Sequence, residues 1–206
     1  MWRRCGGVPS GTFLDSSLFR ISDFVIHHFG VKNILVAGIG NIFFGDDAFG
    51  CEVAAQLMRR PLPEGVRVID FGIRSYDLAY AMMDGPDVTI FIDATPQGQP
   101  PGTIYLIEPD QNFLDNPSGE VVNAHSMNPV RVLQLIRSLG GQPGRLYLVG
   151  CEPAVLETED GAMGLSQPVR AAIPKAIEMI DSLIHDLLAQ TAAEVQTGTM
   201  PHKPLS

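Results

Sequence analysis

The sequence predicts an α/β protein, a three-layer αβα sandwich around a mostly parallel, twisted five-stranded sheet with one antiparallel strand. Two observations carry this prediction. Short, continuously apolar runs recur along the chain, as expected of strands that a parallel sheet buries on both faces. Segments with helical periodicity lie between most of these runs, and such an alternation is typical of a sheet covered by helices on both faces.

The first half of the sequence alternates predicted strands with predicted helices. The strands are residues 34–37, 66–72 and 88–94, and the helices are residues 46–60 and 75–83. Pro61 and Pro63 end the first helix, because proline cannot continue it. Ser75 is a predicted N-cap of the second helix. The strand at 88–94 is apolar on both faces, which favours a central position in the sheet.

The second half contains the predicted antiparallel strand, at residues 103–107. The turn before it, 96–102, is too short for a crossover helix, so we expect this strand to pair antiparallel to strand 88–94 or to lie at the sheet edge. After a polar loop, Asn128 and Pro129 open a third helix. A fifth strand at 145–151 and a last helix at 166–189, with Pro174 inside it, complete the order.

The chain divides into three predicted regions. Residues 1–31 form a partly irregular N-terminal extension, with a possible short helix at 15–29. Residues 32–190 form a single α/β domain. Residues 191–206, rich in Thr, Gly, Pro and Ala, form a tail that we expect to be disordered.

Composition excludes several classes of partner and compartment. The net charge of −9 argues against nucleic acid and anionic membranes, since both attract basic patches. The three cysteines are far apart and form no CxxC pair, which indicates buried thiols in a reducing compartment. We find no signal peptide and no apolar run of about 18 residues that would insert into a membrane, so a cytoplasmic location is expected.

The glycine-rich turn after the first strand allows two interpretations. Gly38 and Gly40 match the first two glycines of a dinucleotide-binding fingerprint, but Phe43 stands where the third is required. Two carboxylates also follow, where a pyrophosphate needs positive potential. A nucleotide-binding module therefore remains the weaker alternative, and a tight strand-to-loop exit explains the glycines in either case.

Acidic residues follow three predicted strands at the edge where open parallel sheets bind ligands. We assign Asp46 to capping or the first turn of its helix, and expect the adjacent Asp47 to point into the crevice. Asp93 ends the third strand and either caps a turn or joins Asp47 around one cation. Asp70 ends the second strand and is either a substrate-facing acid or a loop cap, while Arg74 is most simply a solvated loop arginine.

His125 lies just before the third predicted helix, where the helix dipole favours neutral imidazole. A loop histidine alone is more often an exposed bystander. Together with Asp47 and Asp93 it would complete a set of one nitrogen and two carboxylates with open positions. Such a set suits a borderline divalent ion (nickel, zinc, iron or manganese) and does not choose between them.

Four separated motifs resemble those of the [NiFe]-hydrogenase maturation endopeptidases. They are Gly38-Ile-Gly-Asn-Ile-Phe-Phe-Gly-Asp-Asp-Ala-Phe-Gly50, Phe91-Ile-Asp-Ala94, Asn123-Ala-His-Ser-Met-Asn128 and Val149-Gly-Cys-Glu-Pro153. Members of that family remove the C-terminal extension of the hydrogenase large-subunit precursor once nickel has been inserted. The resemblance therefore implies a cytoplasmic hydrolase, an aspartyl-type or metal-assisted endopeptidase, whose nickel is supplied by the precursor and is not permanently bound.

The resemblance also implies roles for individual residues. The nickel-recognising positions fall on Asp47, Asp93 and His125, which we also predict to be catalytic. Apart from the resemblance, we propose either Asp46 or Asp70 as the general base. The predicted substrate-binding residues are Asp70, Gly72 and Asn41. The predicted partner is the large-subunit precursor, and a nickel-dependent docking or checkpoint protein that does not cut is the alternative.

The chain departs from the family pattern in three places. Asp47 stands where many relatives carry Glu, which keeps the ligand type. The segment Asp70-Phe-Gly-Ile-Arg-Ser75 replaces the common Asp-Gly-Gly-Thr, and the first 31 residues have no counterpart in the usual family chain.

Overall fold

The sheet has three parallel pairings and one antiparallel pairing. The structure, a computed structural model, describes residues 33–109, 129–156 and 163–197. Within this part of the chain the strands are β1 (Ile34–Ile39), β2 (Val66–Gly72), β3 (Val88–Ala94), β4 (Ile104–Ile107) and β5 (Arg145–Cys151). Their spatial order is β2-β1-β3-β5-β4, with β4 antiparallel to β5 and all other neighbours parallel.

Helices cover both faces of the sheet. They are α1 (Phe49–Leu57), preceded by a 3₁₀ turn at Gly45–Ala48, α2 (Ser75–Met83), α3 (Pro129–Ser138) and α4 (Gln167–Thr197). Helices α1 and α4 pack on one face in one apolar cluster, and α2 and α3 pack on the other face in a second cluster. The predicted three-layer αβα sandwich is therefore confirmed. None of the helices in the described residues is long and apolar enough to cross a bilayer.

Successive residues of β1 enter opposite layers of the core. Ile34 and Val36 belong to the cluster with α1 and α4, whereas Leu35 and Ala37 belong to the cluster with α2 and α3. Side chains of a strand alternate between the two faces, so a strand buried on both must be apolar at every position. This is why the sequence of β1 shows a continuous run and no polar alternation.

Two glycines let α1 approach β1 and β3 directly. A Cβ atom on Gly50, in the first turn of α1, would lie 2.1 Å from the Ile92 carbonyl oxygen and 2.2 Å from that of Ile39. A Cβ atom on Gly38 would lie 2.5 Å from the Gly50 carbonyl oxygen. Because no side chain fits at either position, the start of α1 rests on the backbone of both strands and holds the loop before it in place.

The edge strand β4 is held by a buried acid. The Glu152 carboxylate accepts hydrogen bonds from the backbone N–H groups of Gln97 (2.7 Å) and Gly98 (3.1 Å), and from the Tyr105 hydroxyl. Burial alone would raise the pKa of Glu152, but these donors outweigh it and hold that pKa below its ordinary value of 4.5. The carboxylate therefore remains ionised and fastens the turn that reverses the chain into β4.

One of the two arrangements predicted for β4 is confirmed, and two other expectations about elements are corrected. Strand β4 lies at the sheet edge, where it pairs with β5 and not with β3. Ser75 is the first residue of α2 and makes no capping bond, because the cap position is Arg74. Helix α4 runs to Thr197, well past the predicted end near Ala189. Part of the predicted disordered tail is thus helical, while the extension at 1–31 and residues 198–206 lie outside the described residues.

Candidate active site

Asp47 lies in the 3₁₀ turn beyond the carboxyl end of β1. Its carboxylate accepts a hydrogen bond of 2.7 Å from the Asn41 backbone N–H, and the residue is only 8% exposed. The turn requires Gly40, whose φ is 135° and whose added Cβ would lie 1.7 Å from the Asp47 carbonyl oxygen. The glycine thus closes the loop tightly enough to bring Asn41 and Asp47 together.

Asp93 meets Asp47 at the same edge. Strands β1 and β3 are adjacent, with Gly38 beside Ile92, so the residues that follow them emerge side by side. Burial raises the pKa of Asp93 well above its ordinary value of 3.8, and the nearby charge of Asp47 raises it further. The structure therefore brings these two predicted residues together, and a cation between them would relieve both the desolvation and the repulsion.

The thiol of Cys51 lies near a third acid, Asp70, as well as near Asp47 and Asp93. Cys51 is buried at the start of α1, and its Sγ lies 3.5 Å from the Gly40 carbonyl oxygen. Burial raises the pKa of this thiol to about 12. Negative charges nearby contribute to that rise, in order of size those of Asp70, Asp47 and Asp93. The thiol is therefore protonated near neutral pH and unsuited to act as a nucleophile.

Asp70 stands at the carboxyl end of β2, the strand on the other side of β1. One of its oxygens, Oδ1, accepts a hydrogen bond of 2.9 Å from the Gly72 backbone N–H. Asp70, Gly72 and Asn41 line one cavity of about 280 Å³, which Cys51 also borders. The structure thus brings the three predicted substrate-binding residues together, and their role in binding stays a prediction.

Asp46 serves the fold and does not cap its own helix. It is completely buried, and its carboxylate accepts hydrogen bonds from the backbone N–H groups of Ala154 (2.8 Å), Val155 (3.0 Å) and Ser166 (2.6 Å), and from the Ser166 hydroxyl (2.9 Å). Of the two roles predicted for Asp46, the first-turn position is confirmed, whereas the N-cap of this 3₁₀ turn is Phe44, which makes no side-chain capping bond. Asp46 therefore ties the loop after β5 and the start of α4 to the β1 loop.

The third predicted metal ligand, His125, lies outside the described residues. Within residues 33–109, 129–156 and 163–197, no three His, Cys, Asp or Glu side chains are arranged as a group that could hold a metal ion. The ligand set of Asp47, Asp93 and His125 therefore stays a prediction, and the described residues contain its two carboxylates.

The nucleotide alternative loses support in this geometry. Gly38 faces the backbone of Gly50, and Gly40 faces the backbone of Asp47, so the close approach that these glycines permit is made by the chain itself. Phe43, at the position of the missing third glycine, is 58% exposed. With three carboxylates nearby, the loop presents negative potential where a pyrophosphate requires the opposite.

Sequence reasoning missed two features of this site. The sequence predicts only a buried thiol at Cys51, although this residue lies near Asp70, Asp47 and Asp93. The available signal was its position four residues after Asp47, in the first turn of a helix. The exposed side chains of Phe43 and Ile73 at the mouth of the cavity were also missed. Nothing in an apolar residue itself distinguishes a core position from an exposed one.

Comparison with known proteins agrees with this fold. The model of the hydrogenase maturation protease family, HycI, matches residues 51–183. The chain is 33% identical over 171 residues to the hydrogenase expression/formation protein HupD of Rhizobium leguminosarum, covering 82% of each chain.

Solved structures agree as well. The hydrogenase maturating endopeptidase HybD from E. coli superposes with a TM-score of 0.63 at 30% identity, covering 75% of this chain and 93% of that one. The [NiFe] hydrogenase maturation protease HycI from Thermococcus kodakarensis superposes with a TM-score of 0.57 at 25% identity, covering 76% and 94%.

The family model and the solved endopeptidases that share this αβα fold define the chain as a peptidase, and thus a hydrolase. The chain belongs to the hydrogenase maturation protease family.

Proposed function

We propose that this protein removes the C-terminal extension of a [NiFe]-hydrogenase large-subunit precursor after nickel insertion, and that it recognises the precursor through its nickel. Membership of the family supports a hydrogenase precursor as the substrate. The single observation that carries the proposal at the site is the pair Asp47 and Asp93, buried next to each other at the carboxyl edge of β1 and β3.

The two carboxylates suit a substrate that brings its own cation. Without a cation, the raised pKa of Asp93 indicates a buried acid that resists ionisation beside Asp47. A divalent ion carried by the precursor would bind the carboxylates of Asp47 and Asp93 and displace the proton of Asp93. Recognition of this kind depends on the metal being present, so a precursor without nickel would bind poorly. His125 supplies the nitrogen ligand in this proposal.

The geometry favours Asp70 over Asp46 as the general base. Both oxygens of Asp46 accept hydrogen bonds from the chain, and the residue is 0% exposed, so it has no access to a water molecule. Asp70 instead lines the cavity together with Asn41, whose backbone N–H donates to Asp47. In the proposed reaction Asp70 takes a proton from the water that adds to the scissile carbonyl, which the precursor's nickel polarises. The C–N bond then breaks, and Asp70 returns the proton to the leaving amine nitrogen.

The test is a processing assay with purified protein and nickel-loaded precursor, followed by mass spectrometry of the product. The wild-type protein is expected to release the C-terminal extension, and precursor without nickel is expected to remain intact. Asp93→Asn should lower the rate by at least about 100-fold, and Asp70→Asn by about 100-fold or more, because each removes a group that acts on the reacting centre.

The matched control is Asp84→Asn, an exposed acid at the end of α2. It makes the same chemical change away from the site and should process at the wild-type rate. An unchanged precursor mass after incubation with wild-type protein would contradict proteolysis, and full activity of Asp93→Asn would remove this residue from the mechanism.

A further inference from the structure

Three large apolar side chains are exposed near Asp70. Ile42, Phe43 and Ile73 are 49%, 58% and 63% exposed, and all three border the cavity that Asp70 lines. We refer to Ile42, Phe43 and Ile73 as the apolar rim. Two of them follow β1 and the third follows β2, so two separate loops contribute to one surface.

The backbone holds the apolar rim in its exposed position. The Phe43 backbone N–H donates to the Asn41 side-chain oxygen (3.1 Å), and that of Phe44 donates to the Asn41 carbonyl (3.1 Å). The Ser75 backbone N–H donates to the Ile73 carbonyl (3.0 Å). Asn41 thus bonds both to the rim and, through its own N–H, to Asp47, so the rim and the site are positioned by the same turn.

Arg74 holds the loop after β2, which carries Ile73. Its guanidinium donates to the carbonyl oxygens of Phe71 (3.0 Å) and Asp70, and lies 3.5 Å from the Asp77 carboxylate. The side chain of Arg74 therefore braces the turn from which Ile73 projects. Apolar side chains that are held in water by ordered turns, next to a polar site, are typical of an interaction surface.

The charge beside the apolar rim defines its partner. Asp70 lines this cavity, the carboxylates of Asp70 and Asp47 act on Cys51 at its border, and the whole chain carries a net charge of −9. A second copy that paired through this surface would place its own carboxylates against these, because a two-fold interface joins the same patch on both subunits. Like charges so placed oppose association. The complementary partner therefore presents apolar side chains beside a positive centre.

We propose that the apolar rim docks an apolar segment of the precursor polypeptide next to its metal centre, and thereby contributes to the selection of the substrate. This inference rests on the function proposed above. The metal is bound by the carboxylates, whereas the rim buries neighbouring side chains of the precursor. Binding by the rim is the same in the ground state and the transition state, because its side chains touch no reacting atom.

The test compares Phe43→Ser and Ile73→Ser with two matched controls in steady-state cleavage of nickel-loaded precursor. The controls are Tyr80→Ser and Met58→Ser, which shorten similarly exposed apolar side chains (58% and 54%) in α2 and at the end of α1. Each rim variant is expected to raise KM about tenfold or more with kcat within about twofold of wild type, and each control to leave both unchanged.

Direct binding separates this inference from the proposed reaction. Nickel-loaded precursor is immobilised, and its affinity is measured for Asp70→Asn alone and combined with each rim or control substitution, so that precursor is not consumed. A tenfold weaker affinity for the rim variants supports docking even if wild-type protein proves not to cut. Unchanged affinity and unchanged KM for both rim variants would overturn the inference while leaving the proteolysis in place.

Sedimentation of the free protein completes the test. A wild-type dimer that Phe43→Ser or Ile73→Ser converts to a monomer would show that the rim joins two copies of this chain and would overturn the inference. A monomer throughout, with the losses in precursor affinity described above, supports it.

Discussion

At the scale of single residues, two neighbouring buried acids have an unfavourable electrostatic arrangement. Asp47 and Asp93 are each 8% exposed, and the pKa of Asp93 rises because burial and then the charge of Asp47 disfavour its ionised form. Placing two ionisable acids side by side in a buried position opposes folding of the metal-free protein. Such an arrangement is expected where binding of a cation, and not stability, has determined the side chains.

Asp93→Asn should therefore stabilise the metal-free protein near neutral pH. Below the ordinary pKa of 3.8, Asp93 is protonated whether the chain is folded or unfolded, and the two proteins should be equally stable. As pH rises above that value, the unfolded chain releases the proton and the folded chain retains it. The wild type then loses stability relative to the variant until the pH passes the raised pKa of the folded state.

The measurement is urea denaturation of both proteins at several pH values in the presence of a chelator. The expected gain in the free energy of unfolding at neutral pH is about 1 kcal/mol or more. Asp84→Asn, at an exposed position, should show no such gain. A variant less stable than wild type at neutral pH would indicate that Asp93 is a structural acid.

The residues of the site differ in how far the sequence alone could place them. Asp47 and Asp93 follow apolar strands that the parallel order makes adjacent, so local patterns and topology predicted their meeting. The partners of Asp46 could not be predicted, because Ala154 and Ser166 are more than a hundred positions away along the chain. The sequence does not show which of the two adjacent acids, Asp46 or Asp47, bonds to these distant segments.

At the scale of elements, a single acid fastens the turn before the edge strand. Glu152 binds the turn at Gln97 and Gly98 through its side chain, and its backbone pairs with residues 102 and 103 (2.8 Å each). Loss of the side-chain bonds would leave this turn with backbone bonds such as that from the Thr95 N–H to the Cys151 carbonyl oxygen (2.8 Å). The antiparallel strand was predicted from the length of the turn, whereas its pairing with β5 joins residues far apart along the chain.

Glu152→Gln should destabilise the protein by about 1–3 kcal/mol at neutral pH, because an amide replaces a carboxylate that accepts several hydrogen bonds. The folded pKa lies below 4.5, so this stability is present above that value and is lost as pH falls through the lowered pKa. The difference between wild type and variant, measured by denaturant titration, should therefore shrink at acid pH.

The matched control for this experiment is Glu178→Gln, an exposed acid on α4. Its free energy of unfolding should stay within about 0.5 kcal/mol of wild type. If the loss in Glu152→Gln were the same at every pH, the carboxylate charge would not be the group that holds the turn.

Helix α4 shows where local composition misleads. Thr, Gly and Pro in the last residues suggested a disordered tail, yet Gln190, Ala192 and Glu194 favour a helix and no strong helix breaker comes before Gly198. The helix therefore continues until that glycine. An average over the whole tail hid the boundary within it.

At the scale of the whole molecule, the residues of the candidate site come from several chain segments that meet at one edge of the sheet. The layers were predictable because apolar strands and amphipathic helices alternate in order. The apolar rim was not, since Phe43 and Ile73 have the composition of core residues and are exposed only because two turns hold them outward. Surface exposure of this kind is a property of the assembled sheet edge.

The last prediction concerns the residue that the described part of the molecule leaves out. His125 lies four positions before Pro129, the first residue of α3, and α3 packs on the same face of the sheet as α2. His125→Ala should lower the rate of nickel-dependent processing by about 100-fold or more, because the proposed ligand set would lose its nitrogen. The melting temperature should be unchanged, since the substitution removes no described core contact.

His185→Ala is the matched control, because the His185 side chain is 83% exposed on α4 and has no part in the site. The two variants are compared by mass spectrometry of the processed precursor and by the affinity for nickel-loaded precursor. Loss of processing in His125→Ala alone supports a three-ligand grip on the precursor's nickel. Equal activity of both variants would leave Asp47 and Asp93 as the only candidates of that set and would require the nitrogen ligand to come from the precursor itself.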